Sequence, residues 1–318
     1  MDRRFPFPLP NGWFMVAWAD ELGPGEVRPL RAFGEDLVLF RNEAGLARVL
    51  DAYCPHLGAH LGHGGKVLGD AIRCPFHGWT FDGTGRCTAV PYATRVPPGA
   101  KLRSWPVVER NRIVWVWRHA EGAPPAWEVP VIPEAESPEW SDFERHAWTI
   151  RSRSQEMGEN AVDRAHFRYV HGTMNVPESE ITVDGTWRRS LQRARMQTPR
   201  GVVDGQIDAQ NFGPGCSFTR FTGICETLLI GATTPRDEEL CEVRFSFTQP
   251  KVDGQAPKGG VAAAIIRDIV KQMNEDIPIW ENKQYLERPM LCDGDGPIAE
   301  YRRWMKQFYS PSGAAAAS

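Results

Sequence analysis

The 318-residue chain has no run of 18 or more apolar residues, so no segment suits a bilayer-spanning helix. Its first residues, Met1-Asp2-Arg3-Arg4-Phe5-Pro6, are not followed by the apolar core of a signal peptide. Seven cysteines are few for this length, and their odd number argues against a secreted disulfide scaffold. A reducing cytoplasm is the expected setting. Neither sign of charge dominates, with a net charge of −3, so no basic footprint marks a nucleic-acid partner. What is abundant is tryptophan, with 12 residues, and proline, with 26. Buried aromatics and many turns fit a loop-rich, partly β protein. The length allows two domains or one large one.

Residues 12–50 read as short strands punctuated by turns. Trp13–Trp18 is apolar and β-prone, and Gly34-Glu35 separates Val27–Phe33 from Asp36–Arg41 like a hairpin. Arg112–Arg118, β-branched and aromatic, reads as the last strand of this first unit.

Between them lies the most specific signal in the chain. Cys54-Pro55-His56 is followed, after 17 intervening residues, by Cys74-Pro75-Phe76-His77-Gly78-Trp79, and glycines flank both segments. Two thiols and two imidazoles can bind zinc. A zinc finger normally groups like with like, however, and here each loop supplies one Cys and one His. The mixed pairing suits a two-iron cluster in which one iron takes both thiolates and the other both imidazoles. His60 and His63 fall outside the ligand pattern and read as exposed loop residues, and Cys87 as a buried thiol.

From His119 to Trp140 the chain is rich in Pro, Glu and Ala and reads as a linker. β-patterning returns over residues 182–250, enough for an antiparallel sheet of five or six strands curved around an apolar pocket; Trp148–Arg153 is a further possible strand. Phe212, Phe218, Phe221, Leu228, Leu229 and Ile230 are the candidate pocket lining, although each also suits ordinary core. Gly259–Asn282 carries a helical apolar stripe through Ile265, Ile266, Ile269, Val270 and Met273. Pro297–Tyr309 suggests a short last helix, and Ser310–Ser318 a disordered tail.

One helix, expected over Glu156–Val170, leads into the pair His166 and His171, with Asp163 three residues before the first. Two imidazoles and a carboxylate suit ferrous iron with open positions for oxygen. Five residues of regular helix is about 500° of rotation, so the two rings would diverge by roughly 140°. They can share a metal only if the helix widens into a π-bulge or ends before His171, and Gly172 could supply such an end. Helix packing or a surface ion pair of Asp163 with Arg164 or Arg168 is the alternative reading. For Asp276, Pro278 two residues on raises the further possibility of a helix N-cap.

The run Cys54-Pro55-His56-Leu57-Gly58, Cys74-Pro75-Phe76-His77-Gly78-Trp79 and Asp82-Gly83-Thr84-Gly85-Arg86-Cys87 resembles the Rieske [2Fe–2S] domain of the Rieske non-haem iron oxygenases. With it, Glu159–His171 resembles that family's E/N-x-x-D-x-x-H-x-x-x-x-H motif. The resemblance implies an α+β fold: an all-β Rieske domain over 1–118, a linker over 119–140, and a catalytic domain over 141–309 of helix-grip type, with a curved antiparallel sheet and helices. It implies Cys54, His56, Cys74 and His77 as cluster ligands. It implies His166, His171 and Asp276 as ligands of a mononuclear Fe(2+), with Glu275 and Asp268 as weaker choices for the carboxylate. Asp163 takes the position of an aspartate that links a cluster histidine of one subunit to an iron histidine of the next in a ring-shaped homotrimer. Where high-potential Rieske proteins carry a disulfide and a cluster-bonding serine, this chain has Ala59, Phe76 and Trp79, which implies a lower reduction potential.

Further stretches, including Asn11-Gly12-Trp13-Phe14, Asp276-Ile277-Pro278-Ile279-Trp280 and Arg302-Arg303-Trp304-Met305, resemble the branch of 3-ketosteroid 9α-hydroxylases and cholesterol 7-desaturases. This implies an oxygenase component that uses O2 and electrons from an NAD(P)H-dependent reductase or ferredoxin. Its substrate would be an apolar polycyclic molecule, a steroid or sterol, oxidised by hydroxylation, desaturation or methyl oxidation. An aromatic ring hydroxylase or O-demethylase of the same superfamily is the alternative. A Rieske electron carrier would need only the first 118 residues and would leave His166, His171 and Asp276 unexplained.

Overall fold

The computed structural model describes residues 4–172, 178–198, 201–223 and 225–310. Its first part is built of short strands: β1 (Gly12–Trp18), β2 (Val27–Ala32), β3 (Glu35–Arg41), β4 (Ala47–Asp51), β5 (Lys66–Leu68), β6 (Ala71–Arg73), β7 (Thr80–Asp82), β8 (Cys87–Ala89), β9 (Ser104–Trp105), β10 (Val107–Arg110) and β11 (Ile113–Arg118). They form antiparallel sheets ordered β1-β11-β10, β2-β3-β4-β9 and β5-β6-β7-β8.

β3 and β11 are apolar without alternation because each is covered on both faces. Leu37 and Leu39 enter one core while Val38 and Phe40, pointing the other way, enter a second. In β11, Val114 and Val116 fill the first core, and Ile113, Trp115 and Trp117 face away from it into a third. The β2–β3 turn is Phe33-Gly34, both left-handed (φ 59° and 78°), one residue earlier than the sequence suggests. A two-residue turn of this hand matches the twist of its strands. The two turn amides donate to the carbonyls of Pro235 and Arg236, so the hairpin tip is held against the second part of the chain.

That part contains α1 (Pro133–Glu136), β12 (Glu144–Ile150), α2 (Ser154–Glu159), α3 (Arg164–Tyr169), β13 (Glu178–Asp184), β14 (Trp187–Thr198), β15 (Gly201–Phe212), β16 (Cys216–Thr222), β17 (Thr227–Pro235), β18 (Cys241–Thr248), α4 (Gly260–Asn282) and α5 (Ile298–Lys306). A 7-stranded antiparallel sheet runs β12-β18-β17-β16-β15-β14-β13. It exceeds the five or six strands expected over residues 182–250 because β12 returns to pair with β18, from Glu144↔Phe247 to Ile150↔Cys241. Arg151–Arg153 lie beyond that strand.

The two faces of this sheet have different neighbours. Cys216, Phe218, Ile230 and Ala232 pack on Trp13, Met15, Trp115 and Trp117 of the N-terminal sheet. Leu229, Phe247 and the half-buried Phe221 pack instead on Ile266 of α4. Strand alternation therefore divides the expected pocket lining. Phe212, Phe218 and Ile230 belong to the inter-sheet core, and Leu228 shares their face by register. Phe221 and Leu229 lie on the helix-covered face that carries the site.

Residues 119–140 are packed rather than free. The Trp127 ring lies against Trp117 and Phe308, and Val129 and Ala135 are buried. Ser310, expected in a disordered tail, is buried and its hydroxyl accepts from Asn11 Nδ2 at 2.9 Å; residues 311–318 lie outside the described residues. No helix among the described residues is long and apolar enough to cross a membrane.

Two candidate metal centres

The two Cys/His loops are built alike. In each, the cysteine carbonyl accepts from the amide of the glycine four residues on: Gly58 to Cys54 at 2.9 Å and Gly78 to Cys74 at 3.2 Å. In each, the cysteine amide donates to the carbonyl five residues on, Ala59 or Trp79. Both glycines are left-handed, with φ of 74° and 75°, a conformation that a side chain disfavours. The loops thus present their side chains in matched fashion, Cys54 and His56 from one, Cys74 and His77 from the other.

The thiols sit side by side, buried at 2% and 3% exposure, while the imidazoles are half-buried with ring centroids 4.7 Å apart. Burial, with the neighbouring Cys74 thiol adding to it, pushes the Cys54 thiol up to about 11. His77 Nδ1 is buried without a hydrogen-bond partner, and such an atom is costly unless a ligand takes it. A single tetrahedral ion would need all four donors to converge. These four are not among the described residues that do so, and they segregate instead into a thiol pair and an imidazole pair. That arrangement fits a [2Fe–2S] cluster and not zinc. Trp79 stacks on His56 at 4.8 Å with an 8° interplanar angle, its indole N–H donating to the Tyr92 hydroxyl. Cys87 is buried nearby, and His60 uses its Nδ1 to accept from the Gly62 amide.

The second centre joins residues more than a hundred positions apart. The single helix expected over Glu156–Val170 is two, α2 and α3, with Asp163 as the N-cap of α3. Asp163 Oδ1 accepts from the amides of Ala165 (3.1 Å) and His166 (3.3 Å), satisfying donors that a helix start leaves open. Among the described residues, no ion pair joins Asp163 to Arg164 or Arg168. The break is fixed on three sides. Glu159 grips Arg302 of α5 through two bonds of 2.7 and 3.0 Å. Asn160 accepts from Trp280 of α4. Gly296 lies so close beneath Val162 that a Cβ there would stand 1.6 Å from the Val162 carbonyl oxygen. Helix α3 ends before His171, the Val170 amide bonding back to His166 and Gly172 turning left-handed (φ 70°). The i+5 spacing is therefore met by a helix end and not by a π-bulge.

The carboxylate comes from α4. Its buried stripe runs Ala262, Ile266, Met273, Asp276, Trp280, and Asp276 is the charged member of an otherwise apolar face. It sits mid-helix, and Pro278 is also inside the helix, so the N-cap reading of Asp276 is wrong. The long helix continues through the proline because the following residues still pack: Trp280 is buried and bonded to Asn160. His166, His171 and Asp276 bring one donor atom each to within 4.8 Å of one another. Each imidazole has its Nδ1 engaged, His166 by the Asp163 carbonyl and His171 by Glu275 Oε2. That leaves both Nε2 atoms for a shared ion, and His171 Nε2 lies 3.4 Å from Asp276 Oδ1. Burial pushes the Asp276 carboxyl up, opposed by His171, His166 and an Asn160 hydrogen bond. The donor set, two neutral imidazoles and one carboxylate, fits ferrous iron with positions to spare. Glu275 and Asp268 stand outside the converging group; Asp268 is exposed and bonded to Gln272. Asn160, Gly296 and Arg302 carry no metal-ligand signal in the sequence, since each acts through a contact made only on folding.

A thiol-and-imidazole loop pair on a small β unit, followed by a two-histidine, one-carboxylate centre beside an antiparallel sheet, defines an oxygenase of Rieske type. Comparison with known proteins agrees. The profile of the Rieske [2Fe-2S] domain matches residues 12–106, and that of the 3-ketosteroid 9alpha-hydroxylase C-terminal domain matches residues 116–309. A cholesterol 7-desaturase of Xenopus laevis is 34% identical, covering 98% of this chain and 74% of its own. The oxygenase component of a 3-ketosteroid-9-alpha-monooxygenase of Rhodococcus rhodochrous is also 34% identical, covering 96% of this chain and 85% of its own. Among solved structures, dicamba monooxygenase shares the fold, with a TM-score of 0.76 over 98% of this chain and 100% of that one at 21% identity. The chain belongs to the Rieske non-haem iron oxygenases, in the family marked by the 3-ketosteroid 9α-hydroxylase C-terminal domain.

Proposed function

We propose that this oxygenase oxidises a C–H bond of a steroid or sterol, as the oxygenase component of a system supplied with electrons by an NAD(P)H-dependent reductase or ferredoxin. The observation that carries the chemistry is the convergence of His166, His171 and Asp276 beneath the sheet. The substrate class rests on relatives of that activity covering almost the whole chain. In this reading Cys54 and Cys74 hold one cluster iron and His56 and His77 the other, and His166, His171 and Asp276 hold the mononuclear iron. When bound, the mononuclear iron activates O2 for attack on the substrate.

The chain's own groups prepare that chemistry. The Asp163 carbonyl and Glu275 set both iron-facing imidazoles as Nδ1–H tautomers. Phe221, Leu229 and Phe247 pack on Ile266 of α4, the helix that carries Asp276. Residues 1–118 form the electron-receiving domain and 141–309 the catalytic one. Leu57, Phe76 and Tyr92 are exposed beside the cluster histidines, and Tyr169 is exposed on the iron-bearing helix. Burying these surfaces between neighbouring chains of a homotrimer would bring the cluster of one to the iron of the next. Asp163 then serves both as cap and as bridge, Oδ1 holding α3 and Oδ2 reaching the partner's cluster histidine.

The test is turnover of a panel of 3-ketosteroids, sterols and methoxyaromatics by protein with about three irons per chain, using a surrogate reductase. Oxidation of steroids or sterols is expected; oxidation of methoxyaromatics alone would refute the substrate assignment. Light scattering of the purified protein tests the trimer.

A further inference from the structure

The sequence makes Glu275 a rival of Asp276 for the iron. The structure separates the two neighbours. Asp276 lies on the buried stripe of α4 with its carboxylate facing His171 Nε2, whereas Glu275 is rotated to the flank of the helix, its side chain 31% exposed. Its carboxylate nevertheless reaches back to the same imidazole from the other side. Glu275 Oε2 lies 3.0 Å from His171 Nδ1, and Oε1 lies 2.7 Å from Lys271 Nζ, one helical turn earlier. His171 has left helix α3 and has only 1% of its side chain exposed. Among the described residues, no backbone carbonyl holds its Nδ1 in the way the Asp163 carbonyl holds that of His166.

We infer that Glu275 is the positioning residue of the mononuclear centre: its carboxylate, itself held by Lys271, fixes the His171 ring and tautomer so that Nε2 is presented to the metal. The inference rests on the reading of His166, His171 and Asp276 as an iron site. Three features carry it. A metal-binding imidazole needs its second nitrogen engaged, because an unengaged ring can rotate or take the wrong tautomer. His171 follows the end of α3, so helix geometry does not orient it, and the contact with Glu275 supplies what the helix does not. The i,i+4 pair with Lys271 restricts Glu275 to rotamers that reach His171, which a free surface glutamate would visit only in part. Helix α4 thus contributes two adjacent carboxylates with different tasks, Asp276 toward the metal and Glu275 toward the ligand that meets it.

The experiment measures Fe(2+) affinity of the mononuclear site by equilibrium dialysis against protein with an intact [2Fe–2S] cluster, whose absorption and two irons serve as the internal standard. Glu275→Ala should weaken Fe(2+) binding about 10- to 100-fold, the range seen when such an orienting partner is lost. Glu275→Gln keeps an acceptor for the Nδ1–H and should recover most of that affinity. Lys271→Met, which leaves both site residues in place, should weaken binding only a few-fold. Fe(2+) affinity of Glu275→Ala within twofold of the parent would overturn the assignment, as would equal losses in the Ala and Gln variants. A parent protein that retains no iron beyond the cluster would instead refute the iron-site reading itself. Unchanged cluster absorption and melting temperature in each variant separate loss of positioning from loss of fold.

Discussion

The two centres solve one problem, holding inward-facing donors still, by opposite means. The cluster loops are local. Each is a short turn closed by its own backbone, with cysteine, histidine and glycine within five residues. The mononuclear centre is assembled from a helix end, a helix interior and a set of braces from α5 and the Gly296 turn. A site closed by its own backbone depends little on distant packing. A site made by docking helices inherits the strain and mobility of every contact that docks them. Damage should therefore stay confined to the cluster when it strikes the loops and spread when it strikes the helices.

The strongest test of that contrast is Cys74→Ser. It should abolish the Rieske absorption while the mononuclear site still takes up Fe(2+); loss of both metals together would contradict the independence of the centres. Asp276→Ala is the reciprocal change. We expect at least about 100-fold weaker Fe(2+) retention, beyond the usual cost of losing an orienting partner, with the cluster spectrum intact. Asp163 comes next, because its observed cap and its proposed bridge can be separated. Asp163→Asn keeps an Oδ1 acceptor for the helix amides but alters the bridge. Turnover should fall about 100-fold, the low end of a proton-transfer contribution, with both metals loaded. Asp163→Ala should add about 1 kcal/mol of destabilisation for the lost cap, read as a lower melting temperature. A fully active Asn variant would remove the bridging role.

Gly296→Ala tests the braces directly. The new methyl group meets the Val162 carbonyl, a backbone atom that cannot turn aside, and overpacking of this kind costs about 1–3 kcal/mol. Because Val162 adjoins the cap of α3, iron affinity should drop with stability. The smallest effect is expected at His63, exposed on the first cluster loop with its amide donating to the His60 carbonyl and its ring against that of His60. His63→Ala should leave the Rieske spectrum and iron content unchanged, and a bleached spectrum would show that the loop is less self-contained than its hydrogen bonds suggest.

Legibility followed the same division. The two Cys/His loops could be read from spacing because a turn of five residues leaves few geometries open. The strand runs of the N-terminal unit were equally plain, although their unbroken hydrophobicity hid which residues face which core until β3 and β11 were seen sandwiched between layers. For His166 and His171, spacing permitted either a π-bulge or a helix end. The choice was made by Asp163 capping a new helix and Gly172 closing it. Four of the six residues expected to line an apolar pocket lie on the opposite face, because hydrophobicity does not say which face of a strand meets the helices. Phe218 and Ile230 pack on tryptophans of the other sheet, and Phe221 and Leu229 face the helices.

Glu275 marks the limit of sequence reasoning here. Beside Asp276, it is one of two acidic residues in a helix, and composition cannot assign them different tasks. Helical rotation of about 100° per residue sends one to the buried stripe and the other to the flank. Only the docking of α4 against the end of α3 turns that flank position into a hand on His171. Spacing alone was enough to pick out the donor types of both candidate centres and the local turns of the Cys/His loops, because backbone closure acts over a few residues. Folding alone sets which carboxylate converges with His166 and His171, which one bonds His171 Nδ1 and which face of the sheet the helices cover, because these depend on contacts between segments far apart in the chain.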